Sequence, residues 1–350
     1  MPLHTHILTN CPASLFARQA PGGRSAWDNV TFTFGLDLAP DPDVPIVYNR
    51  SRWTIRPGLP RTRTAFVGGE PQPVHPYTAR FLNQFGLVVV DGDQRVTTKR
   101  LMEAPALPWF IGTKFGHTGN PIDYDTIAEW PIPDKDHRVS IITSNRSTLP
   151  YHRTRLQLIA HLRETIPDRI VIYGRDSNPI PDKKDGILPH RYHLVLENNG
   201  GPWSWSEKLA DCFLGWSFPF YVGCENVEND LPTGAFLRIN PNDHEGTAQR
   251  ILSAIEADLW HKRRKAITEA RLLILHHYNT LAQFARITRS LASTSKVGPP
   301  CILRSEKSLP PEPGSRGSMP EMLLRRMVLA LDPGLELRID RNRLKQQERG

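Results

Sequence analysis

The chain has 350 residues, 39% of them hydrophobic, which is enough for two domains with separate cores and is ordinary globular composition. No run of about 18 or more apolar residues occurs, which excludes a membrane-spanning helix. The formal charge is +8, and residues 291–350 supply +4 of it, with eleven Lys/Arg against seven Asp/Glu. That charge does not line up as a basic, aromatic stripe on one element, which argues against a nucleic-acid binder.

In chain order, residues 7–9, 30–34, 44–48, 64–67 and 87–90 read as strands, with a helix over 77–85. A Pro-rich charged stretch, residues 131–136, is the expected seam between halves. Beyond it strand and helix alternate. Residues 139–143 are a strand and 152–164 a helix with Leu158, Ile159 and Leu162 inward. Strands follow at 169–173, 193–196, 218–222 and 236–239, and helices at 207–216, 246–258 and 259–287. This alternation implies parallel, doubly wound sheets. After Arg289 the composition turns to Ser, Thr, Pro and Gly as far as Met319, which reads as linker or disordered chain. An amphipathic helix is expected over 322–331, docked on the protein's own surface or on a membrane. The expected domains are 1–134, 135–290 and a basic tail, 291–350, dispensable for chemistry beyond residue 296.

Four cysteines, Cys11, Cys212, Cys224 and Cys301, are too scattered for a disulfide framework and suit reduced thiols in a cytosol. The first residues lack the basic-then-apolar pattern of a secretory signal. The expected location is cytoplasmic, with peripheral contact at the inner membrane face through the basic tail.

The segment 192–213 carries the chemistry. A buried strand ends in Glu197-Asn198, a Gly/Pro/Ser loop follows, and Ser206 stands where a helix N-cap belongs, ahead of Leu209, Cys212, Phe213 and Trp216 at helical spacing. Glu207 and Lys208 then fall in the first turn, beside unpaired backbone N–H groups. A lysine at a helix N-terminus after the carboxyl end of a strand suits phosphate.

Leu196-Glu197-Asn198, Ser206-Glu207-Lys208 and Phe218-Pro219-Phe220-Tyr221-Val222-Gly223 keep the order and spacing of three linked motifs. By them the chain resembles glycosyltransferase family 10, the inverting α-1,3/1,4-fucosyltransferases that use GDP-fucose. The resemblance implies the GT-B arrangement, an α/β fold with two Rossmann-like domains facing across a cleft. It implies a metal-independent transfer of fucose from GDP-L-fucose to a hydroxyl of a glycan acceptor, with no cofactor. A transferase for another GDP-sugar, or a non-catalytic nucleotide- or glycan-binding protein, is the alternative. The family's membrane anchor and paired C-terminal cysteines do not appear here, so the chain looks like a soluble bacterial member.

Without a metal, the leaving diphosphate must be neutralised by fixed cations and N–H dipoles. Lys208 is one such cation. Arg153, after Ser144-Asn145, matches the family's phosphate-gripping arginine, and Arg155, two positions on, should point elsewhere. The resemblance assigns Glu207 to the ribose hydroxyls, Asn198 to the donor and Glu197 to a structural or donor-facing role. In residues 65–71 a strand runs into a Gly-Gly turn and Glu70, which matches the family's proposed general base, although Pro71 replaces its asparagine. Asp91 and Asp93 stand next in line. Trp203 and Trp205 either stack on the donor or are packed. Four Asp-x-Asp triplets, at 41–43, 91–93, 123–125 and 134–136, read as surface turns and not as a metal site, and the histidines lack zinc spacing with cysteine.

Overall fold

The structure, a computed structural model, describes residues 1–309 apart from 51, 52, 73, 93, 94, 116–118, 145–149, 176 and 199. Asp93, Asn145 and the expected helix at 322–331 therefore lie outside the described residues. The chain forms two compact units, Met1–Pro105 completed by the segment from Thr280 onward, and Ala106–Asn279.

In the first unit the strands are β1 (Leu3–Leu8), β2 (Ala26–Trp27), β3 (Val30–Gly35), β4 (Val44–Tyr48), β5 (Ala65–Val67), β6 (Leu87–Val89) and β7 (Lys99–Arg100). Their order is β2-β3-β1-β4-β5-β6-β7, parallel throughout except for β2 against β3. All of β4 is buried, the apolar run expected of a parallel strand covered on both faces. Helices α1 (Ala13–Ala17) and α2 (Ala79–Leu82) are short. The helix expected over 77–85 shrinks to four residues. Thr78 caps its start by accepting the Phe81 N–H, and it ends before Gly86. A side chain at Gly86 would stand 2.6 Å from the Arg61 carbonyl oxygen, so a close backbone crossing fixes the turn there.

The second unit holds β8 (Asp136–Ile142), β9 (Ile170–Tyr173), β10 (His190–Leu196), β11 (Phe218–Val222) and β12 (Leu237–Arg238). These pair in parallel in the order β12-β11-β10-β8-β9. The helices are α3 (Tyr124–Glu129), α4 (Pro150–Thr165), α5 (Lys184–Ile187), α6 (Glu207–Leu214), α7 (His244–Glu256), α8 (Leu259–Lys262) and α9 (Arg264–His276). From β8 the chain winds one way to β9, then crosses back to β10 on the other side of β8. The switch point of this doubly wound sheet thus lies between β8 and β10, where open α/β sheets place their ligands. The chain contains two parallel-sheet Rossmann-like domains, as a GT-B protein does.

The boundaries differ from those read in the sequence. Residues 106–134 belong to the second unit, not the first. The Phe110 and Ile111 N–H groups donate to the Asp211 carboxylate at 3.0 and 2.9 Å, and the Gly112 N–H donates to Asp182 at 3.0 Å. The long helix expected over 259–287 is broken, and its last part, α10 (Thr280–Ala292), returns to the first unit. There Phe284 packs on Phe16 and Tyr48, and Thr288 shares a 2.6 Å hydrogen bond with Thr5 of β1.

The described part of the tail is also folded, against the expectation of a linker. Leu303 is fully buried in the core around Phe66, Phe81 and Phe85, and it pairs antiparallel with Ile55 at N–O distances of 2.8 and 2.9 Å. A segment this short, with two or three apolar residues among Pro and Ser, shows no periodicity to read. Ending the chain at Lys296 should therefore destabilise the first unit, contrary to the expectation above. Leu303→Ala should cost about 2–5 kcal/mol in a urea melt, the range for a buried leucine. A loss under about 0.5 kcal/mol, the ordinary scatter of surface changes, would mean that this segment is only laid on the surface.

Candidate functional site

Glu197 directly follows β10 and ties three elements together. It is 5% exposed, and its carboxylate accepts the Ser206 N–H at 2.8 Å and the Ser206 hydroxyl at 2.6 Å. A Cβ at Gly223 would lie 2.5 Å from the Glu197 Cγ, so the glycine of the third motif lets the carboxylate pack against the turn after β11. Burial pushes the Glu197 carboxyl up, with the Lys208 ammonium opposing.

Ser206 caps α6 as expected, accepting the Lys208 N–H at 3.3 Å. The Lys208 Nζ lies 3.1 Å from the Ser206 Oγ, 3.4 Å from the Glu207 carboxylate and 3.5 Å from that of Glu197. Burial works against its charge, but Glu207 and then Glu197 raise the Lys208 pKa above the usual lysine range.

Lys183, in the turn before α5, completes the cluster and was not singled out from the sequence. Its Nζ donates to Asp211 at 2.6 Å and lies 3.7 Å from Glu207. Asp211 side-chain exposure is 1%, and its other oxygen holds the Phe110 and Ile111 N–H groups. Burial would push Glu207 up, yet the ammonium groups of Lys208 and Lys183 hold it down at about 2. Its folded pKa lies below the unfolded value near 4.5, so its contribution to stability is complete above that value and is lost as the pH falls toward 2. Glu207→Gln should flatten the acid limb of stability between those two pH values, measured as urea midpoints. An unchanged limb would mean that the lysines do not hold this carboxylate.

These groups surround a cavity of about 140 Å³ at the carboxyl ends of β8 and β10, the switch point of the sheet. Ile141–Thr143, Arg155, Lys183, Ile187, His193–Leu196, Glu207, Lys208 and Asp211 line it. His193 shares a 2.7 Å hydrogen bond with Ser140, and burial, with Lys183 nearby, lowers its pKa to about 3, so it brings no positive charge. The arginine that reaches the cavity is Arg155, half-buried, with 3.0 Å to the Ser144 carbonyl and 3.5 Å to the Asn198 side-chain oxygen. Arg153 is exposed and is not among the lining residues, so the order of the two expected from the sequence is reversed. Two residues along a helix is roughly 200° of rotation, enough to swap inside for outside.

Trp205 resolves as packed. It is 3% exposed, its indole N–H donates to Asp230 at 2.7 Å, and its ring meets Tyr278 edge-on. Trp203 is half-buried in the same loop. Of the described Asp-x-Asp residues, Asp43, Asp123 and Asp136 serve local structure. Asp43 accepts the His4 N–H and Lys296, Asp123 caps α3, and Asp136 binds Arg138 and His190. Among the described residues no cluster of three or more His, Cys, Asp or Glu could hold a metal ion, and no helix is long and apolar enough to cross a membrane.

Glu70 belongs to the first unit, just past the carboxyl end of β5, and is half-buried. A Cβ at Gly69 would stand 3.0 Å from the Asn49 side chain, so the Gly-Gly turn passes close to the end of β4. Asp91 is 4% exposed and accepts the Gln72 N–H with both oxygens, at 3.1 and 3.0 Å, which commits it to holding the loop after Glu70.

No protein-family model matches the chain, and no curated protein matches it in sequence. Solved structures do resemble it. An α1,3-fucosyltransferase with GDP is 14% identical at a TM-score of 0.48, with 84% of this chain and 91% of that one covered. The trehalose-6-phosphate synthase OtsA is 12% identical at 0.47, with 74% of each chain covered. The HepE protein of Anabaena, in complex with UDP, is 11% identical at 0.46, with 84% of this chain and all of that one covered.

Proposed function

We propose that the chain is an inverting, metal-independent glycosyltransferase that moves fucose from GDP-L-fucose to a hydroxyl of a glycan. One observation carries the reading: Lys183, Lys208 and Arg155 converge on the switch-point cavity at the start of α6, where a diphosphate would meet three cations and the helix N–H groups. The motif resemblance supplies the finer terms, fucose and guanosine.

In this reading the diphosphate takes the lysines from Glu207 and Asp211, and Glu207 turns to the ribose hydroxyls. Arg155 grips phosphate oxygens with its planar fork. Glu197 and Ser206 keep the helix start in place, and Asn198 steadies Arg155. As the bond between the anomeric carbon and the diphosphate breaks, the acceptor oxygen attacks the opposite face and its proton passes to Glu70. The signature loop reads Trp203-Ser204-Trp205 where the resembled family more often has tyrosine or valine, which keeps another GDP-sugar as the second reading.

GDP should bind in EDTA, ahead of UDP and CMP, by calorimetry. Lys183→Met, Lys208→Ala and Arg155→Ala should each weaken it by about 1.5–3 kcal/mol, the worth of a hydrogen bond to a charged group, while Arg153→Ala leaves it unchanged. Loss of binding in EDTA, or normal binding by all three variants, would remove this site. Hydrolysis of GDP-fucose in preference to other GDP-sugars separates the two readings.

A further inference from the structure

From the contact between His75 and Glu306 we infer that the C-terminal segment positions the candidate base, with Glu306 acting through His75 on the loop that carries Glu70. The inference rests on the proposed role of Glu70. That loop is pinned at three places. Asp91 accepts the Gln72 N–H, and the Val74 and His75 N–H groups close a turn on the Pro71 carbonyl at 2.8 and 2.9 Å. The Tyr77 hydroxyl donates to the Asn49 carbonyl at 2.7 Å. Between these anchors Val74 is 42% exposed, so the loop gains little from burial there.

A fourth anchor comes from 231 residues away: the His75 Nε2 lies 2.5 Å from the Glu306 Oε2, with side-chain exposures of 25% and 19%. The His75 ring also packs edge-on to Tyr77 at 4.8 Å, which passes the restraint to the next anchor. Glu306 is itself fixed in a short helical turn capped by Ser305, three residues after the buried Leu303. A base must be held within about 0.5 Å of its productive position, and a displacement of about 1 Å can cost roughly 10²-fold in rate. Glu306 is in these terms a positioning residue, and it makes a segment rich in Pro and Ser part of the working site.

The test uses the full chain. In Glu306→Ala, amide exchange across residues 70–77, followed by mass spectrometry, should speed up at least tenfold, with exchange in β10 and α6 and the affinity for GDP unchanged. Transfer from GDP-fucose to an acceptor drawn from a glycan panel should lose roughly tenfold or more in kcat, with the donor KM unmoved. Glu306→Gln, which keeps an acceptor for the His75 N–H, should recover most of both. His75→Ala removes the same contact from the other side and should reproduce the alanine result, so a poorly folding Glu306 variant leaves the idea open to refutation. Unchanged exchange at 70–77 in both alanine variants overturns the inference, as does full kcat in both when Glu70→Gln is inactive. If Glu70→Gln itself transfers at the normal rate, the base assignment is what fails, and the exchange data still report whether Glu306 holds the loop.

Discussion

Asp211→Ala should cost the second unit about 3–5 kcal/mol, the usual penalty for breaking a buried ion pair from one side. The carboxylate is 1% exposed and has three partners, Lys183 at 2.6 Å and the Phe110 and Ile111 N–H groups at 3.0 and 2.9 Å. Alanine leaves two backbone donors without their acceptor and an ammonium without its nearest anion. Asp211→Asn keeps a carbonyl oxygen for the backbone and should cost less, while still freeing Lys183. Urea unfolding followed by tryptophan fluorescence would read both. If the alanine variant lost less than about 1 kcal/mol, no more than an exposed ion pair is worth, then Lys183 would have closed on Glu207 and the 110–112 segment would owe its place to Asp182.

Glu70→Gln should leave fold and GDP affinity intact and lower transfer by about two to four powers of ten, the range for a positioned general base. The reason lies in the division of labour proposed for the two units: the cations that would neutralise the leaving group are all in Ala106–Asn279, and Glu70 is in the other unit. Slow hydrolysis of the donor should survive the change, because loss of the diphosphate depends on Lys183, Lys208 and Arg155. Transfer at near the normal rate would take Glu70 out of the mechanism. Asp91, next in line from the sequence, would be a poor substitute, since it is buried and both its oxygens hold the Gln72 N–H.

Much of the second unit was legible because its signals are local. Ser206 before an apolar helical repeat marks the start of α6 to the residue, and the apolar runs at 193–196 and 218–222 mark β10 and β11. What sequence reading missed depends on contacts between distant residues. Lys183 stands among Asp182, Lys184 and Asp185 in a loop, and nothing in that run distinguishes the one lysine that Asp211 draws into the cavity. The order of Arg153 and Arg155 followed the motif match, although Arg155 stands three, four and seven residues before the inward Leu158, Ile159 and Leu162 and so shares their face. The unit boundaries were misplaced because a Pro-rich stretch is a visible break whereas the crossings at Pro105 and Asn279 are not. The return of residues 301–303 to Ile55 has no local signature at all.

That return sets the order in which the molecule can mature on the ribosome. Domains ordinarily fold N-terminal first as the chain emerges. Here Ala106–Asn279 is continuous and is complete as soon as it clears the exit tunnel, whereas the unit begun by Met1 still lacks α10 and Leu303. At ~5–20 residues per second, the wait between Pro105 and Leu303 is on the order of 10–40 s. During that interval the nascent β1, β2 and β4 have no helix α10 to cover them, and the core around Phe66, Phe81 and Phe85 has a gap where Leu303 belongs. The later half of the polypeptide is therefore the first to be finished, and the earlier half is the stage at which chaperones would be needed.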